Sequence, residues 1–194
     1  MSKQQHPVSY YVINGITLYR TVTAPLLLWL LFTGKYDWFR WLLGASFFTD
    51  FIDGFLARRF KITSILGTRL DSIGDDLTVL VALTGLFVMK PGFFLEELAT
   101  LIPVLTLFVI QTSYALYRYG RISSFHTLLA KTAALAQGIF LLSFFFFGQI
   151  FYPLYYLAVY ITIVELAEEV VLVALLPKWE ANVRGLWWVW KRKQ

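Results

Sequence analysis

The chain has 194 residues, of which 58% are hydrophobic, and its formal net charge is +5 at pH 7. Together with a mean hydropathy of +0.65, this composition lies outside the range of soluble domains and predicts an integral membrane protein. We interpret the basic excess against lipid phosphate and membrane orientation, so nucleic acid is not expected as a partner. The absence of cysteine excludes disulfides and thiolate chemistry.

Six apolar runs in the chain are long enough for membrane-spanning helices. They predict an all-α polytopic fold, with six spans at about residues 8–32, 38–56, 66–89, 95–117, 128–147 and 155–176. No repeat or linker marks a second domain, so residues 1–194 are expected to form one domain. Since the polar N-terminus leads directly into the first run, no cleavable signal sequence is expected. The tryptophan-rich, basic tail at 177–194 is expected to lie in the headgroup region.

Polar residues interrupt the first span at regular spacing. Asn14, Thr17 and Arg20 lie at i, i+3 and i+6, which places them on one helix face. We expect this face to point into the bundle, because an arginine within a span normally marks a partner or a site. The alternative is that Arg20 reaches to the interface or pairs with an aspartate.

A cluster of acids lies where the second and third apolar runs meet, between residues 50 and 75. The segment between the two runs, 58–66, is short and basic, so the two helices are expected to be antiparallel neighbours. Their four carboxylates would then share one small volume. Helical spacing gives two stripes, one of Asp50, Asp53, Gly54 and Ala57, the other of Gly67, Asp71 and Asp75.

Carboxylates so close together repel each other unless cations neutralise them. Hard oxygen ligands favour magnesium, manganese or calcium over zinc, and we favour a two-metal site for phosphoryl chemistry. Gly54 and Gly67 support a site, because glycine lets a backbone or ligand approach closely. The alternative is that the acids lie in headgroup water, where they cap helices or pair with Arg58, Arg59 and Arg69.

The spacing of this stretch resembles the signature of the CDP-alcohol phosphotransferases. The upstream NGITLYR, with Asn14, Thr17 and Arg20, is also similar to the first helix of that family. Asp76 departs from the pattern, since some branches carry a lysine there, which bears on the branch and not on the family. The signature, DxxDGxxAR followed by eight residues and GxxxDxxxD, is matched without a gap by Asp50, Asp53, Gly54, Ala57, Arg58, Gly67, Asp71 and Asp75.

The resemblance implies a role for each residue of the motif. Asp50, Asp53 and Asp71 would hold two Mg²⁺ or Mn²⁺ ions, while Asp75 would act as general base and also contact a metal. Family members tend to be homodimers, so a homodimer is expected. The nucleotide of a CDP-linked lipid donor would be bound by Asp53, Gly54, Ala57, Arg58, Gly67, Asn14 and Thr17.

A second polar stretch, RYGRISSFHTLLAKT, follows the fourth span. Its Arg118, Arg121 and Lys131 lie on the predicted side of the acidic motif and are candidates to bind an acceptor that carries a phosphate. Lys131 with Thr132 is similar to a pair seen in the phosphatidylglycerophosphate synthases of the family. The alternative is that these cations only follow the positive-inside bias.

Two further groups of acids lie outside the motif. Glu96 and Glu97 follow the third span and are expected to be a solvated helix start. Acids within a span are a site hypothesis by default, and here we expect an interior ion pair with Arg20 or Arg118, outside the catalytic set. Three such acids lie in the sixth span: Glu165, Glu168 and Glu169.

The distribution of basic residues predicts the orientation of the chain. Lysine and arginine dominate the loops on the side of both termini. We therefore expect both termini and the acidic motif to face the cytoplasm, at the inner or plasma membrane if the source is bacterial. A water-soluble nucleotide and a membrane-bound lipid tail could meet at that face.

The resemblance implies a phospholipid-biosynthetic transferase. The resemblance implies that it moves a phosphatidyl group from CDP-diacylglycerol to the hydroxyl of a small polar alcohol and releases CMP. The basic stretch favours a phosphorylated polyol, such as glycerol 3-phosphate or inositol phosphate. Alternatives within the family are an unphosphorylated acceptor such as serine or inositol, or transfer of a CDP-linked head group to a lipid alcohol.

Outside the family, six spans with buried acids and an arginine are also compatible with a cation-coupled transporter. The acids of the motif, however, cluster at one face of the membrane, and the sequence has no inverted repeat of broken helices. An inactive scaffold is disfavoured because none of the four aspartates is missing.

Overall fold

The computed structural model describes residues 19, 22–60, 65–123, 125–180 and 183–192, and the side chains of these ranges except at 50–76. Every regular element in these ranges is a helix, which confirms the all-α prediction for them. The chain divides into two compact units, Met1–Met89 and Lys90–Gln194, and each is described by itself.

The first unit contains three described helices: α1 (Val22–Phe32), α2 (Tyr36–Phe60) and α3 (Ile65–Met89). A tight turn joins α1 to α2 at Gly34, whose φ of +72° is the left-handed conformation that glycine adopts without strain. In this turn the backbone N–H of Lys35 donates to Leu30 O at 2.9 Å. Both α2 and α3 have 25 residues, or about 38 Å at 1.5 Å per residue, so either is long enough to cross a bilayer.

The second unit contains five described helices. Buried Thr127 caps the start of α6 by accepting from Ala130 N at 3.0 Å, and Gly120 (φ +66°) and Gly148 (φ +68°) end α5 and α6. The helices are α4 (Pro91–Glu96), α5 (Leu98–Tyr119), α6 (Leu128–Phe147), α7 (Tyr152–Leu175) and α8 (Leu186–Arg192).

Helix α7 is the centre of the second unit, because it packs against both α5 and α6. The Thr100 and Tyr155 hydroxyls are 2.6 Å apart near the starts of α5 and α7, and the Tyr119 hydroxyl donates to Val173 O at 3.0 Å near their ends. Helices α5 and α7 are therefore parallel. Gln137 donates to the Thr162 hydroxyl at 2.7 Å near the middles of α6 and α7, and Leu128 N at the start of α6 donates to Arg184 O beyond the end of α7, so α6 is antiparallel to α7.

The directions of these three helices define two ends of the second unit. One end holds the starts of α5 and α7 and the end of α6. The other end, which we call the basic end, holds the ends of α5 and α7, the start of α6, the loop of residues 120–127 as far as it is described (120–123 and 125–127) and the described tail at 176–180 and 183–192.

Helices α2, α3, α5, α6 and α7 begin and end within four residues of the second to sixth predicted spans, while most of residues 8–21 of the first span lie outside the described part of the chain. Helices α5 and α6 are both long and apolar enough to cross a membrane, and α1 and the segment Leu77–Met89 are shorter apolar helices. The 24 residues of α7 include three glutamates near its middle. The fold is thus all-helical with membrane-capable helices, while the six-span topology stays a prediction.

The expectation for Glu97 was wrong. Its side chain is only 7% exposed, at the junction of α4 and α5. The Tyr156 hydroxyl donates to Glu97 Oε1 at 3.0 Å, and the Thr100 hydroxyl donates to Oε2 at 3.2 Å. Two hydroxyls thus take the place of water around the carboxylate. Because α4 ends at Glu96 and α5 begins at Leu98, the fourth predicted span is interrupted at this buried acid. Glu96, in contrast, is exposed as expected.

Candidate active site

The acidic motif lies on the two long helices of the first unit. Asp50 and Asp53 are on α2, and Asp71 and Asp75 are on α3, while only residues 61–64 separate the two helices. Asp50 precedes the last residue of α2 by ten positions, and Asp75 follows the first residue of α3 by ten. At about 1.5 Å per residue, both lie about 15 Å along their helices from this connection.

The same two helices carry the remaining motif residues, and they contact each other. Gly54, Ala57 and Arg58 are on α2, and Gly67 is on α3. The side chains of these residues and of the aspartates lie outside the described part of the structure, as do Asn14 and Thr17 altogether, so their contacts stay predictions.

The chemistry of this donor set fits a hard divalent cation. Four aspartates supply only carboxylate oxygens, which are the ligands that magnesium and manganese prefer. Among the side chains that the structure describes, no group of three or more histidine, aspartate or glutamate residues could hold a metal ion. On the chemistry of its residues, the motif stays a candidate metal site.

Arg118 lies in the last turn of α5, at the basic end of the second unit. Its Nη1 donates to the carbonyl of Ala174 at 2.8 Å and to the Tyr114 hydroxyl at 3.2 Å. Ala174 is in the last turn of α7, where carbonyls lack intrahelical partners and a cation is favourable. Arg118 thus stabilises the end of α7, and its side chain is still exposed to solvent.

The other two predicted cations lie at the same end. Arg121 is exposed, and its Cζ lies 5.4 Å from the centre of the Trp179 ring. The indole Nε1 of Trp179 in turn donates to Ile122 O at 3.1 Å. Lys131 is exposed in the first turn of α6. The structure therefore places Arg118, Arg121 and Lys131 at the same end of the second unit.

A buried hydrogen-bond network joins the loop of residues 120–127 to α5 and α7. Gln111 on α5 is 3% exposed and Glu169 on α7 is 9% exposed, and Gln111 Nε2 donates to Glu169 Oε2 at 2.7 Å. The Ser123 hydroxyl donates to the same oxygen at 3.1 Å, and Gln111 Nε2 also donates to this hydroxyl. The described partners of Glu169 are neutral, so it forms no ion pair with Arg118, while Arg20, the other expected partner, lies outside the described residues.

Glu168 ties the tail to α7. Its Oε1 accepts a hydrogen bond from Leu186 N, the first residue of α8, at 2.9 Å. Gly185 allows this approach, since its φ is +144° and a Cβ there would lie 2.9 Å from the same oxygen. The backbone of Arg184 accepts from Leu128 N at 3.2 Å, so the tail also contacts the start of α6.

Sequence reasoning flagged Glu169 but missed its partners. A glutamine within an apolar run is a signal for a buried polar contact, and Gln111 is such a residue. Ser123 gives no comparable signal, because it stands among polar loop residues. Gln111 is 58 positions from Glu169 in the sequence and Ser123 is 46 positions from it, and no local pattern reveals contacts over such separations.

Comparison with known proteins supports the interpretation of the motif. A family model described as CDP-alcohol phosphatidyltransferase matches residues 10–173, which include the complete acidic motif. No solved structure is significantly similar to the chain.

Three curated relatives illustrate the range of the similarity. A CDP-diacylglycerol--glycerol-3-phosphate 3-phosphatidyltransferase of Pseudomonas fluorescens is 38% identical over 84 residues, or 41% of the chain and 42% of the relative. The protein of the same name from Cereibacter sphaeroides is 36% identical over 97 residues, or 45% and 43%. A cardiolipin synthase (CMP-forming) of Streptomyces coelicolor is 35% identical over 79 residues, or 38% and 37%.

These matches cover less than half of each relative's length. The family model, in contrast, extends over most of the chain, from the first predicted span into α7. On this evidence the chain belongs to the CDP-alcohol phosphatidyltransferase family.

Proposed function

We propose that the protein transfers a phosphatidyl group from CDP-diacylglycerol to the hydroxyl of glycerol 3-phosphate and releases CMP. The observation that carries this proposal is the complete motif on α2 and α3, in a chain that belongs to the family. The choice of glycerol 3-phosphate is supported by the names of two relatives and by the three cations at the basic end. Inositol phosphate is the second phosphorylated candidate.

The metal site in this proposal consists of the four aspartates of the motif. Asp50, Asp53, Asp71 and Asp75 would hold two Mg²⁺ or Mn²⁺ ions, which is supported by their oxygen-only chemistry and by the equal distances of Asp50 and Asp75 from the α2–α3 connection. When bound, the cations neutralise negative charge on the two phosphates of the donor.

The nucleotide is held by residues next to the metal ligands. Gly54, Ala57 and Gly67 have little or no side chain, so they leave room for the cytidine and its diphosphate. Arg58 donates to a phosphate oxygen, for which its guanidinium is suited. Asn14 and Thr17 complete the nucleotide set.

The reaction forms one bond and breaks one bond. The acceptor hydroxyl oxygen attacks the phosphorus that carries diacylglycerol, and the bond from this phosphorus to the bridging oxygen breaks, so CMP leaves with that oxygen. Asp75 accepts the hydroxyl proton as general base. Arg118, Arg121 and Lys131 bind the phosphate that the acceptor already carries, which orients its hydroxyl.

We propose the topology, the orientation and the oligomeric state on the apolar runs, the distribution of basic residues and the family resemblance. The chain forms one membrane domain of six spans, with both termini and the motif at the cytoplasmic face, and it functions as a homodimer. Two apolar helices in the second unit and the extent of the family model support a membrane location.

The test is CMP release from CDP-diacylglycerol by the purified protein in mixed micelles, with and without magnesium. Glycerol 3-phosphate, inositol phosphate, inositol and serine serve as acceptors. Metal-dependent release with glycerol 3-phosphate alone is the expected result, and release with inositol or serine instead would contradict the phosphorylated acceptor. Release without metal would contradict the metal site.

Phosphatidylglycerol is included as a fifth acceptor because two relatives are named as cardiolipin synthases, one of them as a fusion protein. CMP release that depends on this lipid, and not on glycerol 3-phosphate, would establish a lipid-borne acceptor in place of the small one. The assay therefore separates the two functions that the comparisons favour.

A further inference from the structure

We infer that Glu169 is a positioning residue, which holds the loop of residues 120–127 in the form that binds the acceptor phosphate. Glu169 lies on α7, outside the acidic motif, and no role is given to it in the proposed reaction. The inference rests on the proposed function, because it takes the acceptor phosphate to bind at the basic end of the second unit.

The contacts of Glu169 carry the inference. Its Oε2 accepts from Gln111 Nε2 on α5 at 2.7 Å and from the Ser123 hydroxyl in the loop at 3.1 Å. Hydrogen bonds to a carboxylate are stronger than those between neutral groups, and the burial of Gln111 and Glu169 limits competition from water. One carboxylate oxygen thus joins the loop to both parallel helices.

Ser123 is well placed to transmit this constraint to the phosphate-binding cations. It lies two residues after Arg121 and five after Arg118. The loop is fixed at its far end by buried Phe125 and Thr127, which are 0% exposed. Loss of the Ser123 contact would therefore free the part of the loop next to the two arginines, while α6 keeps its cap.

The chain supplies a matched control one helical turn away. Glu165 is also on α7 and is also 9% exposed, but it has no hydrogen-bond partner among the residues that the structure describes. Replacing Glu165 removes a carboxylate of equal burial without touching the loop. Comparison of Glu169→Ala with Glu165→Ala therefore distinguishes the effect of losing the loop contact from the effect of losing a buried carboxylate.

The kinetic test measures CMP release while glycerol 3-phosphate and CDP-diacylglycerol are varied in turn. Glu169→Ala is expected to raise KM for glycerol 3-phosphate about tenfold, with KM for CDP-diacylglycerol and kcat little changed. Glu169→Gln should recover part of this loss, because an amide oxygen accepts the same bonds. Equal effects on both KM values, or the same rise in Glu165→Ala, would overturn the inference.

Hydrogen exchange of the purified protein provides a readout that does not depend on activity. Faster exchange confined to residues 120–127 is expected in Glu169→Ala and in Ser123→Ala, but not in Glu165→Ala. Unchanged exchange in the loop would overturn the inference even if activity falls. If Glu169→Ala does not fold, Ser123→Ala carries the same test from the loop side.

The two measurements also separate this inference from the proposed function. Absence of CMP release by the unmodified protein with glycerol 3-phosphate would contradict the proposed function. In that case, an unchanged loop in the exchange experiment would reject the positioning role as well, and a loosened loop would support only the structural part of the inference, that Glu169 holds the loop.

Discussion

The four aspartates of the motif are chemically identical, so only their positions can distinguish their roles. Asp50 and Asp53 are one turn apart on α2, and Asp71 and Asp75 are one turn apart on α3. Residue types and spacing were enough to predict this set from the sequence, because the motif is local. Which aspartates bind metal and which accepts a proton depends on the folded arrangement of the site. These roles must therefore be measured for each residue.

Asp75 is the residue for which a role is most sharply testable. Asp75→Asn keeps the size of the side chain but cannot accept the acceptor's proton, so we expect turnover to be abolished while nucleotide affinity is retained. CMP release and binding of CDP-diacylglycerol measure the two quantities. Asp37→Asn, in which an exposed aspartate at the start of α2 is changed, is the control and should be active. A rate near that of the unmodified protein in Asp75→Asn would reject the base assignment.

Lys131 offers the cleanest test of the acceptor phosphate among the cations. Arg118 also binds the end of α7, so its removal changes structure as well as charge, whereas Lys131 is exposed in the first turn of α6. Lys131→Ala is expected to raise KM for glycerol 3-phosphate about tenfold and to leave KM for CDP-diacylglycerol unchanged. Lys178→Ala, which removes another exposed lysine from the basic end, is the control. Equal effects of the two variants would indicate a general charge effect.

At the scale of elements, apolar runs predicted the helices well, because length and hydrophobicity are local properties of the chain. The break at Glu97 was missed, since a glutamate beside a loop is ordinarily solvated and the tyrosine that satisfies it lies 59 positions further on. The loop of residues 120–127 was recognised as basic and as part of a candidate phosphate site. The contacts of its described residues with α7 and the tail were not predicted, because no local pattern reveals them.

The cap of α6 is an element whose contribution to stability can be measured directly. Thr127 is 0% exposed, and its hydroxyl accepts from Ala130 N, one of the N–H groups that a helix start leaves without a partner. Thr127→Ala should lower the free energy of unfolding by about 1 kcal/mol, which denaturant titration in detergent would measure. Thr127→Ser retains the hydroxyl and should lose less stability, and a loss as large as that of Thr127→Ala would argue against the cap.

At the scale of the whole molecule, the absence of cysteine makes the predicted topology easy to map. Gln149 lies between α6 and α7, and Lys178 lies beyond the end of α7, whose 24 residues extend about 36 Å. The two positions should therefore be on opposite sides of a bilayer. Lys178→Cys should react with a membrane-impermeant thiol reagent only from the cytoplasmic side, and Gln149→Cys only from the other side. Labelling of both from one side would reject a spanning α7.

The contacts that hold the loop of residues 120–127 also have a consequence for folding during synthesis. Ser123, Ile122 and Tyr119 find their partners 46 to 57 positions later, on α7 and in the segment after it. When the end of α6 has just left the ribosome, these partners have not yet emerged from the exit tunnel. The loop of residues 120–127 can therefore make these contacts only after about sixty further residues have emerged. A nascent chain arrested earlier would lack the contacts that hold this loop, which is part of the proposed acceptor site.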